Sequence, residues 1–390
     1  MAKDSPSRRE FLYTAGAASA SLAGTGARDF HAFYSAGLQK NGIVGSSFLL
    51  THPNATPVEI VYGYSNLSKR APVDHDTCYH WASITKTFTA IAVMQLRDRG
   101  LLNLDDAVSR YVPELRQIYD PYGPVDEITI RQLLTHSAGF RSPTWPWRTQ
   151  PWQPFEPTKW SQIVAMLPYT NVEFRPGSRH SYSNLGIVFL GQIIERLTDD
   201  DYEVYIAKNI FEPLEMHRSY FDRSPYHLLQ YRSHSYFLKE GKLTEASFNF
   251  DTGITVSNGG LNAPVPDMQK YLRFLLGNPE ENRYQAVLKR STLEEMFAKQ
   301  MNISSSDSSQ LAGEGGIDSI GLGFFRHEQG GRLYVGHGGD QNGFLSHFYL
   351  DLPGRSAYLV VYNTDAGDPS QNTGKLDLAI RNYLFERRLQ

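Results

Sequence analysis

Ser83 and Lys86, three residues apart in Trp81-Ala82-Ser83-Ile84-Thr85-Lys86-Thr87-Phe88, are a pair with nucleophilic potential. A serine hydroxyl attacks poorly until a base takes its proton. A lysine can serve where burial and neighbouring positive charge favour its neutral amine. The Ser-x-x-Lys pattern alone is weak, because about one or two matches arise by chance in a chain of this size and an ordinary capped surface helix carries the same letters. Here it occurs once. A second group is His180-Ser181-Tyr182-Ser183-Asn184. Tyr182 could relay a proton if nearby cations favour its phenolate, and Asn184 offers both a donor and an acceptor to a substrate amide or to Lys86. The bland alternative is a loop tyrosine with Asn184 as a helix N-cap. The third group is His337-Gly338-Gly339-Asp340, where glycines would let a substrate backbone approach an edge strand. A main-chain N–H just past them could join that of Ser83 around an oxyanion, each such donor being worth about 3 kcal/mol in a transition state. A glycine-rich turn with an incidental histidine is the competing reading.

The elements around these groups follow from hydrophobic spacing. Ile84, Phe88, Ile91 and Ala92 continue a helical pattern that ends at Gly100 after Arg97 and Arg99, which puts Ser83 at a helix start, where free N–H groups favour negative charge. Lys86 then projects to the face of Ser83. Leu185, Val188, Phe189, Ile193 and Leu197 predict a helix directly after Asn184, and Met268, Tyr271, Leu272 and Leu275 another. A helix over about 29–40 leads into extended runs at 45–50 and 58–64, which read as a hairpin. Near the other end, strands are expected at 333–335, 344–350 and 357–362, with a closing amphipathic helix over about 375–388. Strands from both termini around a helical middle predict an α+β protein: one antiparallel sheet with helices packed on it and a mostly helical lobe, the cleft lying between. The boundaries expected are a sheet lobe of about 28–82 and 318–390 and a helical lobe of about 83–317. Residues 303–317, rich in serine and glycine, read as a solvated insertion.

Ser-x-x-Lys, then Tyr-x-Asn, then His-x-Gly, in that order, resembles the motif set of the serine β-lactamase and penicillin-binding-protein superfamily. The chain is most similar to its class C β-lactamase-like branch, which also holds carboxylesterases, D-aminopeptidases and D-alanyl-D-alanine carboxypeptidases. The stretches 103–106, 111–114, 130–139 (Ile130 to Gly139) and 211–216 share the likeness, which runs from about Asp29 onward. The resemblance implies a β-lactamase/transpeptidase-like fold with Ser83 as the acylated nucleophile, Lys86 and Tyr182 as general base and acid, and Asn184, His337, Gly338 and Gly339 as substrate-binding residues. It also implies an oxyanion hole from the main-chain N–H groups of Ser83 and Asp340, an acyl-enzyme released by water, and no cofactor or metal.

The chain departs from that pattern where members that recognise a carboxylate carry Lys-Thr/Ser-Gly. His337-Gly338-Gly339 lacks the hydroxyl and has a titratable cation, and Asp340 beside it would repel an anion if ionised. The expectation is a small ester, amide or peptide without a carboxylate at that end. Alternatives are a D-alanyl-D-alanine carboxypeptidase or weak β-lactamase, and a non-catalytic binding or sensory module on the same fold. Trp145, Trp147, Trp152 and Trp160 lie in a proline-rich stretch that either walls an acyl pocket or covers the helical lobe.

Composition narrows the rest. In 390 residues, 41% hydrophobic and 20% charged, a large core is attainable, and a net charge of −3 gives no footprint for nucleic acid. No apolar run reaches the length of about 18 residues needed to span a bilayer. Cys78 is the only cysteine, which excludes an intrachain disulfide, and it reads as a buried strand residue. A metal site at His75, Cys78 and His80 is disfavoured because His75 and His80 would leave a strand on opposite faces. Ser7-Arg8-Arg9-Glu10-Phe11-Leu12, a short apolar run and Thr25-Gly26-Ala27 resemble a twin-arginine export signal over residues 1–27, which implies a periplasmic or extracellular hydrolase. The expected partner is a small molecule or short peptide.

Overall fold

A computed structural model describes residues 25–53, 56–140, 157–248, 252–277, 282–304 and 316–386. Most of the expected export signal therefore lies outside the described residues, as do Trp145, Trp147, Trp152 and the middle of the 303–317 insertion. Both chain ends build one sheet. Its N-terminal strands are β1 (Gly45–Thr51), β2 (Val58–Asn66) and β3 (Ala71–Pro72). The remaining strands are β9 (Met301–Asn302), β10 (Ser319–Ile320), β11 (Phe325–Gln329), β12 (Arg332–Gln341), β13 (Phe344–Asp351) and β14 (Ser356–Tyr362). The order is β3-β2-β1-β14-β13-β12-β11-β10-β9, with every neighbouring pair antiparallel. The expected β1–β2 hairpin and the late strands are present, and the last two residues of the helical middle that pair here, Met301 and Asn302, extend the sheet's far edge.

Strand alternation sorts the sheet's residues between two cores. On one face Phe48, Ile60, Leu345, Tyr349, Tyr358 and Val360 pack on the terminal helices α1 (Thr25–Lys40) and, at the other end of the chain, Thr373–Glu386. On the opposite face Leu49, Val335, Phe348, Leu350, Leu359 and Val361 join a larger core built with the helical lobe. That lobe contains α2 (Thr85–Asp98), α3 (Ile130–Leu134), α4 (Trp160–Met166), α5 (Asn184–Thr198), α6 (Tyr202–Ile206), α7 (Val256–Gly259), α8 (Val265–Leu276), α9 (Asn282–Val287) and α10 (Arg290–Phe297), so the closing helix is α11. Two small sheets join the lobes. One is β4 (Cys78–His80), β8 (Leu261–Pro264) and β5 (Tyr220–Phe221); the other is β15 (Thr364–Ala366), β6 (Tyr236–Lys239) and β7 (Lys242–Glu245).

The 332–341 segment differs from its expected form. The strand extends well past the expected 333–335, and the glycine group lies inside it, not in the glycine-rich turn of the competing reading. The turn is Asn342-Gly343, both with positive φ (51° and 81°), a two-residue hairpin of the type whose twist matches its strands. Gln341 and Phe344 flank it.

Candidate active site

Ser83 sits in a single 3-10 turn, Ala82–Ile84, that runs straight into α2. Its first-turn position leaves its N–H without an intrahelical acceptor. Ala82, just before it, holds a left-handed φ of 47°, which costs an L-residue about 1–2 kcal/mol. The surroundings fix that geometry. Trp81 donates its main-chain N–H to Leu261 (2.8 Å) and its indole N–H to Ala263 (2.9 Å). Thr85 donates its hydroxyl to the Ala82 carbonyl (2.6 Å) and accepts from the N–H of Leu261 (3.0 Å). Strain of this kind persists only where neighbours over-determine it.

Lys86, on the first turn of α2, is 1% exposed and donates to Ser83 Oγ at 2.9 Å and to the Asn258 carbonyl at 2.7 Å. Asn258 belongs to α7, which Thr89 also ties to α2 by donating to the Ser257 carbonyl (2.6 Å). The Lys86 ammonium lies 5.0 Å from the centre of the Tyr182 ring. Tyr182 is in turn flanked by His136 (4.5 Å between ring centres), Phe325 (6.3 Å) and His337 (6.4 Å). Ile303 and Ile317, the roots of the serine-rich insertion, pack with Phe325 beside it.

His136 holds the tyrosine's loop. Its carbonyl accepts the N–H of Ser181 (2.8 Å) and its Nδ1 accepts the N–H of Ser183 (3.2 Å), so the residues either side of Tyr182 hang on one histidine. Burial, followed by the positive potential of His180, Lys86 and His337, drives the His136 imidazole well below its ordinary range. It is therefore neutral, with Nδ1 free of a proton and able to accept. Ser183, not Asn184, caps α5, accepting from the N–H of Gly186. Asn184 is the helix's first residue, and its Oδ1 is shielded from water without a donor among the described residues.

On β12 the alternation separates the third group. His337, Gly339 and Gln341 share the face that meets the helical lobe; Gly338 and Asp340 share the other. His337 is buried, packs on Phe325 (4.9 Å) and places Nδ1 2.6 Å from the Gly338 carbonyl. A Cβ on Gly339 would stand 2.2 Å from the Trp81 carbonyl oxygen and 3.2 Å from Ala82 Cβ, so only glycine lets the strand touch the serine's turn. β11 pairs with β12 only as far as Gly336. Counting ladder bonds back from the hairpin, 341, 339 and 337 bond to β13, while 340 and 338 aim their N–H and C=O toward the edge beyond β11. The Asp340 carboxyl, by contrast, points to the far face, where desolvation by the surrounding protein and then Asp365 raise it to about 6 even though the residue is exposed. The expected repulsion of a substrate anion by Asp340 is thereby corrected: the pleat turns that charge away from Ser83.

The histidines near β4 do not converge. His75 pairs with Glu59 at the surface (2.7 Å), whereas His80 is buried against Gln341 and Asn262. Among the described residues no three metal-ligating side chains come together, and no helix is long and apolar enough to cross a membrane. Cys78 is buried on β4. Trp160, at the start of α4, donates its indole N–H to Glu114 (3.1 Å) beneath Arg196, which is a covering role. From sequence His136 stands out only within the family-like stretch 130–139, and Asn258 not at all, although the run Ser257-Asn258-Gly259-Gly260 is a signal for it.

Comparison with known proteins bears on the fold and the family. Protein flp of Staphylococcus aureus (strain COL) is 26% identical over 329 residues, covering 84% of this chain, which spans 61% of the flp length. The octameric penicillin-binding protein homologue from Pyrococcus abyssi superposes with a TM-score of 0.75 at 25% identity, over 92% of this chain and 77% of its own. D-amino acid amidase from Ochrobactrum anthropi SV3 gives 0.76 at 20% identity, over 93% and 98%, a likeness of fold. Residues 30–381 match the Beta-lactamase family profile, and the chain belongs to the Beta-lactamase family.

Proposed function

We propose that the protein is a serine hydrolase that cleaves a small ester, amide or short peptide through a covalent acyl-enzyme on Ser83. The observation that carries this is the buried Lys86 Nζ, 2.9 Å from Ser83 Oγ and held there by the Asn258 carbonyl. Ser83 Oγ attacks the substrate carbonyl carbon and its proton passes to the Lys86–Tyr182 pair. The oxyanion is held by the N–H groups of Ser83 and Asp340. Collapse breaks the bond to the leaving alcohol or amine, which takes the proton. Water, deprotonated by the same pair, then attacks the acyl ester, releasing a carboxylic acid and restoring Ser83. Asn184, two residues after Tyr182 at the first position of α5, is the candidate substrate-orienting residue on that side. His337-Gly338-Gly339 supplies neither the lysine nor the hydroxyl that would hold a carboxylate, which favours a substrate lacking one there.

Purified protein assayed with p-nitrophenyl acetate, D-phenylalanine amide and benzylpenicillin tests the substrate reading. Ester or amide hydrolysis with an acyl mass increment on the Ser83 peptide is expected. Efficient penicillin turnover would contradict it, and stable penicillin acylation without ester or amide turnover would shift the reading to a D-alanyl-D-alanine carboxypeptidase.

A further inference from the structure

We propose that His80 is a positioning residue for the oxyanion hole, acting through Gln341; this rests on the acyl-enzyme reading above. His80 is 3% exposed, on β4, three residues before Ser83. Its Nε2 lies 3.1 Å from Gln341 Oε1, one residue after Asp340, and its Nδ1 lies 3.3 Å from Asn262 Oδ1, four residues after Asn258. One imidazole thus bridges the three segments that supply the nucleophile, the strand-edge N–H and the carbonyl that holds Lys86.

The bridge has a defined sense. Asn262 donates its amide N–H to the Gly260 carbonyl (3.0 Å), which fixes Oδ1 toward His80. Burial keeps the imidazole neutral, assisted by the charge of Arg232. A neutral ring carries one N–H, and the shorter contact gives it to Gln341 Oε1 from Nε2, leaving Nδ1 packed against Asn262 Oδ1. The Gln341 amide also lies where a Cβ on Gly259 would stand 2.7 Å from it, so glycine there is what admits it. The open end of β12 has no strand partner beyond Gly336 on the side of Ser83 among the described residues, and a tether at Gln341 fixes its last working N–H. Displacement of a catalytic donor by about 1 Å costs on the order of a hundredfold in rate.

The test measures kcat and KM on p-nitrophenyl acetate for wild type, Gln341→Leu, His80→Ala and the double variant. Ser47→Ala, which removes the partner of Tyr79 (2.9 Å) on the same strand away from the cleft, is the structural control. Each single variant should lower kcat about 10- to 100-fold with KM changed less than about threefold. The double should be no worse than the poorer single, and Ser47→Ala should lower the thermal midpoint at unchanged kcat. Wild-type kcat in Gln341→Leu, a half-buried site whose change the fold tolerates even if His80→Ala does not fold, would overturn the proposal, as would additive losses in the double. If Ser83→Ala itself kept activity, the acyl-enzyme reading would fail instead, a result distinct from an unchanged Gln341→Leu on a Ser83-dependent enzyme.

Discussion

At the level of single residues, Tyr182 depends on His136, which accepts the N–H groups on both sides of it. His136→Ala leaves one of these buried donors without its side-chain acceptor, a loss of about 1–3 kcal/mol. It also frees the tyrosine, so kcat should fall at least about tenfold, as steady-state assay and thermal melts will register. Asp340 gives a second prediction. Its folded value of about 6 lies above the ordinary 3.8, so the folded state binds the extra proton and loses stability as pH rises from about 4 to about 6. Asp340→Asn should accordingly raise the thermal midpoint at pH 7 and not at pH 3.5; equal shifts at both would contradict it. Ser83, Lys86 and Tyr182 were legible as types and spacing. The direction of the Asp340 carboxyl was not, because it depends on strand register, which the letters Gly-Gly-Asp do not disclose.

At the level of elements, the approach of β12 to the Ala82–Ile84 turn sets the cleft. Gly339→Ala would drive a methyl into the Trp81 carbonyl, and overpacking of this kind costs about 1–3 kcal/mol. Activity should fall further than stability because the strand can relieve the clash only by leaving the serine. A variant with wild-type kcat would show that the contact is slack. The strands around this point were readable from alternation and the helices from 3.6-residue spacing. The extent of β12 was not, since glycine carries no strand preference and the ladder that enforces extension there comes from β13. Short α7 escaped notice for the same reason, since contact with α2 defines it and not local pattern, whereas at β4 only the strand around Cys78 was read and not its pairing with β8.

Across the whole molecule, the sheet is a wall between two cores, and buried histidines outside it make the fold acid-sensitive. Burial lowers His80 to about 4 from 6.5. The unfolded chain therefore binds a proton that the folded one refuses, and stability falls as pH drops from about 6.5 to about 4, by up to ~3 kcal/mol from this residue. His136 acts in the same direction. Denaturant melts of His80→Asn should show a flatter acid limb than wild type, and an identical slope would contradict the assignment. On the opposite face Phe385 of α11 stacks on Tyr334 (3.6 Å, 5°). Phe385→Ala should cost about 3–5 kcal/mol in a melt without altering KM. Sheet, flanking helices and helical lobe were all foreseeable from the order of elements; the division of the sheet's side chains between two cores required the register.

The most direct measurement is release of p-nitrophenol from p-nitrophenyl acetate by wild type beside Ser83→Ala, with intact-mass analysis of each protein during turnover. The account predicts hydrolysis and a transient acetyl increment of one group in wild type, and neither in Ser83→Ala. Equal hydrolysis by the two proteins would contradict it, because the nucleophile would then lie elsewhere.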